Sequence, residues 1–220
     1  MTETDVSPKR PGAVTWFGLF IALFGMLIVR QIVNHYWPTP TFGSAVLKEG
    51  GMWLVAVLLL LIIKLGEGLP LSSIGFSTAR LGKSILWGFL LGIVCLLVAG
   101  GLVAVTHFTG GEAGKAFEKL PTWLLFLIVF RAGVVEELCY RGYAIERLHA
   151  LGLPRALAAG VPLVIFGVGH WTGGWANIVI ALVLGAILAL YFVWRRDLIA
   201  NMIGHWFVDF VGNVVPRLMS

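Results

Sequence analysis

The chain has 220 residues, of which 59% are hydrophobic and 12% are charged, and its formal net charge is +5. Soluble domains contain about 25% charged residues, so this composition excludes a globular domain held by a single anchor. With a mean hydropathy of +0.93, the sequence predicts an all-α, polytopic membrane helix bundle of about seven transmembrane helices, within a range of about six to eight. It has no basic cluster with interleaved aromatic residues, so we expect no nucleic-acid partner.

The predicted spans follow one another with short connectors, since a transmembrane helix needs about 20 apolar residues. In chain order the predicted spans are 13–36, 51–65, 84–106, 121–148, 155–171, 175–194 and 198–215. The third span carries Gly88 and Gly92 at the small-residue spacing that lets membrane helices approach closely.

The distribution of lysine and arginine between the spans predicts the orientation. On the same side of the membrane as the N-terminus, the predicted spans place Lys9, Arg10, Lys64, Arg80, Lys83, Arg147, Arg155, Arg195 and Arg196. On the other side lie Lys48, Lys115, Lys119 and Arg217. Because positively charged loops stay in the cytoplasm, we predict a multi-pass protein of the cell membrane with a cytoplasmic N-terminus.

The fourth predicted helix carries adjacent carboxylates, Glu136 and Glu137, inside an apolar stretch. A charge near the bilayer centre costs about 2.5–3.5 kcal/mol, so ionisable residues there predict a functional site. Glu137 and Arg141 share a helix face and can pair. Glu136 lies about 100° away and Arg131 is outside ion-pair spacing, so Glu136 is expected to lack a partner on its own helix and to suit a general base. Alternatively, both acids pair with arginines and only lock the helix packing.

Histidines follow on two later helices. Phe166 and His170 are expected to face one direction, beside Gly167 and Gly169, which allow a close approach of backbone or substrate. The alternative interpretation of His170 is an interfacial anchor, because Trp171 follows it.

The seventh predicted helix carries a polar stripe. Asn201, His205, Asp209 and Asn213 recur at every fourth position. Such a stripe must face the bundle interior or a water-filled cavity. It serves either a reaction or hydrogen bonding between helices.

Together these residues favour hydrolytic chemistry. Two histidines and a carboxylate suit an activated water, and they also suit a divalent metal such as zinc, with Glu136, His170 and His205 as the candidate ligands. The one-helix HExxH zinc motif is absent. No other cofactor is indicated.

The order and spacing of these residues resemble a known family. Glu136-Glu137-x-x-x-Arg141, Phe166-x-x-x-His170 and His205-x-x-x-Asp209 resemble the motifs of the CAAX protease and bacteriocin-processing family of intramembrane proteases, which includes the type II CAAX prenyl endopeptidases. The resemblance covers residues 121 to 215. It implies one integral membrane domain, with N-terminal helices and connectors in residues 1–120 and catalytic helices in residues 121–220.

The resemblance also implies roles for the matching positions. Glu136 and His170 would activate the water, and His205 with position 209 would stabilise the oxyanion. Glu137 and Arg141 would support them.

One position departs from the pattern of the CAAX branch, where many members have asparagine. This chain has Asp209, and an ionised carboxylate repels an oxyanion. Asp209 would then be protonated, orient His205 or bind a metal, and we favour the orienting role. Asn213, as a supporting residue, or Asn201 could supply the missing donor.

The predicted function is that of an intramembrane endopeptidase acting on a peptide or protein substrate, at or near its C-terminus, among membrane lipids. A non-catalytic family member acting in bacteriocin immunity or as a scaffold is the alternative. A proton-coupled transporter is disfavoured because the halves of the chain show no repeat. No sequence pattern assigns an oligomeric state.

Overall fold

All regular structure in the described part of the chain is helical, which confirms the predicted helix bundle. The computed structural model describes residues 12–39 and 41–219, apart from the side chains of residues 112 and 113. The α-helices are α1 (Ala13–Tyr36), α2 (Phe42–Leu61), α3 (Leu81–Thr106), α4 (Gly111–Glu118), α5 (Thr122–Arg131), α6 (Glu146–Ala150), α7 (Arg155–Val168), α8 (Gly174–Arg195), α9 (Leu198–Asp209) and α10 (Val215–Leu218). Wider π-helical turns occupy Ile62–Gly66, Ala132–Ile145 and Phe210–Val214, and 3-10 turns occupy Leu71–Ile74 and Trp171–Gly173.

Five helices within the described ranges are long and apolar enough to cross a membrane. They are Ala13–Tyr36, Phe42–Gly66, Leu81–Thr106, Trp171–Arg195 and Leu198–Leu218. Many of their large apolar side chains point outward, as expected of helices that face lipid. The protein is therefore an integral membrane protein. Lys9 and Arg10, which contribute to the predicted orientation, lie outside the described residues.

The boundaries of two predicted elements are wrong. The second span was expected to begin at residue 51, but α2 begins at Phe42 because Thr41 and Ser44 form a capping box. The expected loop of residues 107–120 contains the short amphipathic helix α4.

The helix formed by α5, Ala132–Ile145 and α6 enters the interior of the bundle from Arg131 onward, whereas one face of α5 is exposed. Most of its π-helical segment is buried, against α9 on one side and α7 on another. It corresponds to the fourth predicted span, and it brings the charged residues of that span to the centre of the bundle, away from lipid.

Small residues bring α3 and α9 into close contact, in agreement with the predicted spacing. A Cβ added at Gly88 would lie 2.9 Å from the carbonyl oxygen of Ala200 and 2.7 Å from Cβ of Ile203. A Cβ at Gly92 would lie 3.2 Å from the carbonyl oxygen of Gly204. Because glycine has no side chain beyond a hydrogen atom, α3 and α9 can approach each other this closely.

We expect Gly88→Ala to destabilise the protein by about 1–3 kcal/mol, because the added methyl group overlaps the backbone of α9. The measurement is reversible denaturation in detergent. Gly100→Ala on the same helix is the matched control, since a Cβ there has no neighbouring atom within 4 Å. Equal stability of the two variants would contradict the packing argument.

Candidate active site

The π-helical segment changes the partners of the acid pair. Its hydrogen bonds run from residue i to residue i+5, so each turn is wider than in an α-helix. Arg131 and Glu136 are five residues apart, and Nη1 of Arg131 lies 3.0 Å from Oε1 of Glu136. The expectation that Glu136 has no partner on its own helix is wrong, because it assumed 3.6 residues per turn.

Glu137 is the centre of a buried network. It is completely buried, and its Oε1 accepts a hydrogen bond of 2.7 Å from Nη1 of Arg141, as predicted from their spacing. The same oxygen accepts a bond of 2.8 Å from Nδ1 of His205, and Oε2 accepts one of 3.1 Å from Asn201. Glu137 therefore joins the π-helical segment to α9 and fixes the ring orientation of His205.

The polar stripe of α9 divides into two parts. Asn201 and His205 are buried and bond to Glu137, whereas Asp209 and Asn213 are half-buried. The carboxylate of Asp209 lies 3.6 Å from Nε2 of His205, beyond hydrogen-bond distance. Asn213 donates to the backbone carbonyl of Asp209 one turn before it. His205 is thus oriented by the hydrogen bond that it donates to Glu137, and not by Asp209 as the sequence suggested.

His170 does not lie on a helix, although the fifth predicted span extended to residue 171. α7 ends at Val168, and the turn that follows is fixed by two side chains from elsewhere. Arg30 donates to the carbonyl of Gly169 at 2.6 Å, and Asn177 donates to the carbonyl of His170 at 3.0 Å. Both backbone carbonyls of this turn are thus hydrogen-bonded by side chains of other helices.

The tautomer of His170 follows from its hydrogen bond. Nδ1 lies 2.8 Å from the backbone carbonyl of Phe166, which can only accept, so Nδ1 carries the proton. Nε2 is therefore left as a proton acceptor.

The ring of Phe166 packs among the polar groups. Its centroid lies 4.6 Å from that of His170 and 6.1 Å from that of His205. The guanidinium carbon of Arg141 lies 4.4 Å from the same centroid, a cation–π contact. Phe166 thus separates the two histidines and keeps the site apolar between them.

Two cavities meet at His170. Glu136 and His170, with Tyr140 and Arg131, line a space of about 20 Å³. Such a space is large enough for about one water molecule. His170 also lines a second space of about 100 Å³.

The second cavity contains the remaining candidates. Its polar lining comes from His170, His205, Asp209 and Asn177. The structure therefore places Glu136 and His170 around one cavity, and His170, His205 and Asp209 around the other.

Two functional neighbours, Glu49 and Arg30, were missed by sequence reasoning because they lie in the first half of the chain. Nε and Nη2 of Arg131 donate to the carboxylate of Glu49, each at 3.0 Å. The spacing of Thr41 and Ser44, a helix start signal, could have placed Glu49 two turns inside a helix.

The candidate metal ligands do not form a metal site. No group of three or more His, Cys, Asp and Glu side chains in the described ranges is placed to hold a metal ion. Glu136 is paired with Arg131, whereas Nδ1 of His205 bonds to Glu137 and leaves Nε2 available, as in many metal-binding histidines. The ion pair of Glu136 with Arg131 is the contact that does not fit a metal held by Glu136, His170 and His205.

The fold and the site define a class of protein: a polytopic helical membrane protein with buried glutamate and histidine residues around small interior cavities. Within the chain, residues 118–211 match the model of the family described as type II CAAX prenyl endopeptidase Rce1-like. This segment is therefore similar to that family, which confirms the resemblance. Comparison with curated proteins and with solved structures found no match.

The matched segment contains both acids, both histidines and Asp209, whereas Arg30 and Glu49 lie before it and Asn213 lies just after it. The first half of the chain thus adds contacts to a site whose motifs lie within the matched segment.

Proposed function

We propose that the protein is an intramembrane endopeptidase in which Glu136 and His170 activate a water molecule. The observation that carries the proposal is the space of about 20 Å³ between these two side chains, which fits one water. Nε2 of His170 is a proton acceptor, and the carboxylate of Glu136 is a second one. A water between them would attack the peptide carbonyl as its proton is removed.

The larger cavity beside His170 would receive the scissile carbonyl. His205 lines this cavity and has Nε2 free of Glu137, which bonds to Nδ1 and stabilises the protonated ring. A protonated His205 donates to the developing oxyanion, which is where stabilisation most lowers the barrier.

Arg131 divides its donors between the acids Glu49 and Glu136. Two of the three hydrogen bonds go to Glu49 and only one goes to Glu136. Glu136 is therefore held in place by one oxygen, which leaves its other oxygen for the water. In this proposal Arg131 is a positioning residue.

The experiment that tests the function uses purified full-length protein in lipid nanodiscs. Peptides with prenylated and plain cysteines near the C-terminus are incubated with it, with chelator and with added zinc, and the products are identified by mass spectrometry. Cleavage supports the endopeptidase. We further propose a cytoplasmic N-terminus, which the lysine and arginine distribution supports, and protease protection of a tag tests it.

The second candidate is a non-catalytic family member that acts by binding. The observation that favours it is that both acids are paired, Glu136 with Arg131 and Glu137 with Arg141, as structural ion pairs would be. It predicts no cleavage of any peptide in any of those conditions.

Asp209→Asn is expected to keep peptide cleavage within about threefold of wild type, or to raise it. Glu137 already orients His205, so the carboxylate of Asp209 is not needed for that role, and an amide can donate to the oxyanion. The measurement is kcat/KM on a cleaved peptide. A loss of about a hundredfold or more would show that the carboxylate itself is required.

A further inference from the structure

Position 209 lacks the amide that the resemblance leads one to expect at the candidate site. This chain has Asp209 there, and an ionised carboxylate repels an oxyanion. The sequence predicts Asn201 or Asn213 as the replacement donor, but the structure uses both amides elsewhere. Asn201 donates to Glu137 and to a backbone carbonyl, and Asn213 donates to the carbonyl of Asp209. Neither of them lines the cavity of about 100 Å³.

A different amide does line that cavity. Asn177, in the first turn of α8, borders it together with His170, His205 and Asp209. Its side-chain nitrogen donates to the carbonyl of His170 at 3.0 Å, and because a carbonyl only accepts, this contact identifies the nitrogen of the amide. An amide nitrogen carries two hydrogen atoms, and the second one has no acceptor among the described residues. One N–H of Asn177 is therefore available to a group in the cavity.

The packing of Asn177 against the preceding turn sets the position of its amide. A Cβ added at Gly173 would lie 2.6 Å from both Cβ and Cγ of Asn177, so the absence of a side chain at Gly173 makes room for it. The carbonyl of His170 also accepts a bond of 3.1 Å from the backbone N–H of Gly173. That carbonyl therefore keeps a hydrogen bond without Asn177, and the turn does not depend on this amide alone.

We propose that Asn177 donates a hydrogen bond to the oxyanion, beside the one from His205. This inference rests on the proposed endopeptidase function. The cavity admits only a small group, so a carbonyl placed in it is within reach of several lining residues at once. Asn177 also lies at the N-terminal end of α8, where the partial positive charge of a helix stabilises an anion. An amide on α8 thus replaces the one that is absent from α9.

Asn177→Leu should lower kcat by about 10²–10³-fold and change KM little, as the loss of one oxyanion donor does. Leucine has nearly the shape of asparagine but no donor, and denaturation checks that the variant is folded. Gln31→Leu, which removes an exposed amide on α1 outside the cavity, is the matched control and should keep the wild-type kcat. Full kcat in folded Asn177→Leu overturns the inference, while cleavage by the wild-type protein leaves the endopeptidase standing.

A double variant distinguishes an oxyanion donor from a residue that only holds the turn. Asn177→Leu combined with Asp209→Asn returns an amide to the cavity from α9, so kcat should rise by about tenfold or more above that of Asn177→Leu alone. The bond from position 177 to the carbonyl of His170 stays absent in this variant. A kcat that does not recover would therefore show that Asn177 acts through the turn, and the inference would be wrong.

A binding measurement tests the same hydrogen bond without turnover. A phosphinate peptide carries a tetrahedral anion in place of the scissile carbonyl, so it imitates the oxyanion. It and the corresponding amide peptide are titrated, with chelator, into the Glu136→Gln protein in nanodiscs. The phosphinate should bind about a hundredfold more tightly, and adding Asn177→Leu should remove about tenfold or more of that preference. No preference, or one that Asn177→Leu leaves unchanged, overturns the inference whether or not any peptide is cleaved.

Discussion

Glu136→Gln is expected to lower kcat for peptide cleavage by about 10²–10⁴-fold, the usual contribution of a general base. Glutamine has the same shape but does not accept a proton, so the water between positions 136 and 170 loses one of its acceptors. KM should change little, because the carboxylate does not line the larger cavities. The measurement is steady-state cleavage of a peptide that the wild-type protein hydrolyses.

The matched control is Glu118→Gln, an exposed acid at the end of α4, which should leave kcat unchanged. His170→Gln should reduce kcat to a similar level, and the double variant should be no worse than either single variant, because residues that act on one water are not additive. Full activity of Glu136→Gln would remove this carboxylate from the mechanism. A loss of folding is checked by denaturation, since Arg131 retains Glu49 as a partner in this variant.

Arg141→Met is expected to destabilise the protein by about 3–5 kcal/mol, as breaking a buried ion pair generally does. Arg141 is almost completely buried, and it neutralises Glu137, which is completely buried. Without the guanidinium, the hydrogen bonds that this carboxylate keeps within the described part of the chain come from His205 and Asn201. The free energy of unfolding is measured by reversible denaturation in detergent.

A double-mutant cycle shows whether the pair accounts for the loss. Arg141→Met combined with Glu137→Met removes both charges, and it should recover most of the lost stability, because apolar side chains of similar volume often replace a buried pair at little cost. If the double variant is as unstable as the sum of the single variants, the two residues are not coupled. The double variant should still lose activity, since His205 then lacks its carboxylate.

The sequence determined those features that depend on local spacing and polarity. The apolar runs predict membrane helices because backbone groups in lipid must be satisfied within the segment. Glu137 and Arg141 pair because they are one turn apart, and Asn201 and His205 face inward because a polar stripe on an apolar helix is costly in lipid. The order of the motifs also predicts the similarity to the family whose model matches residues 118–211.

Only the tertiary structure decided the partners that depend on helix type and on distant segments. The π-helical turns bring Arg131 to Glu136, a contact that α-helical spacing does not allow. Arg30 and Glu49 reach the site from helices more than 80 positions earlier, as their contacts with Gly169 and Arg131 show. Long-range packing sets these contacts, and a sequence read by its local periodicity contains no direct record of them.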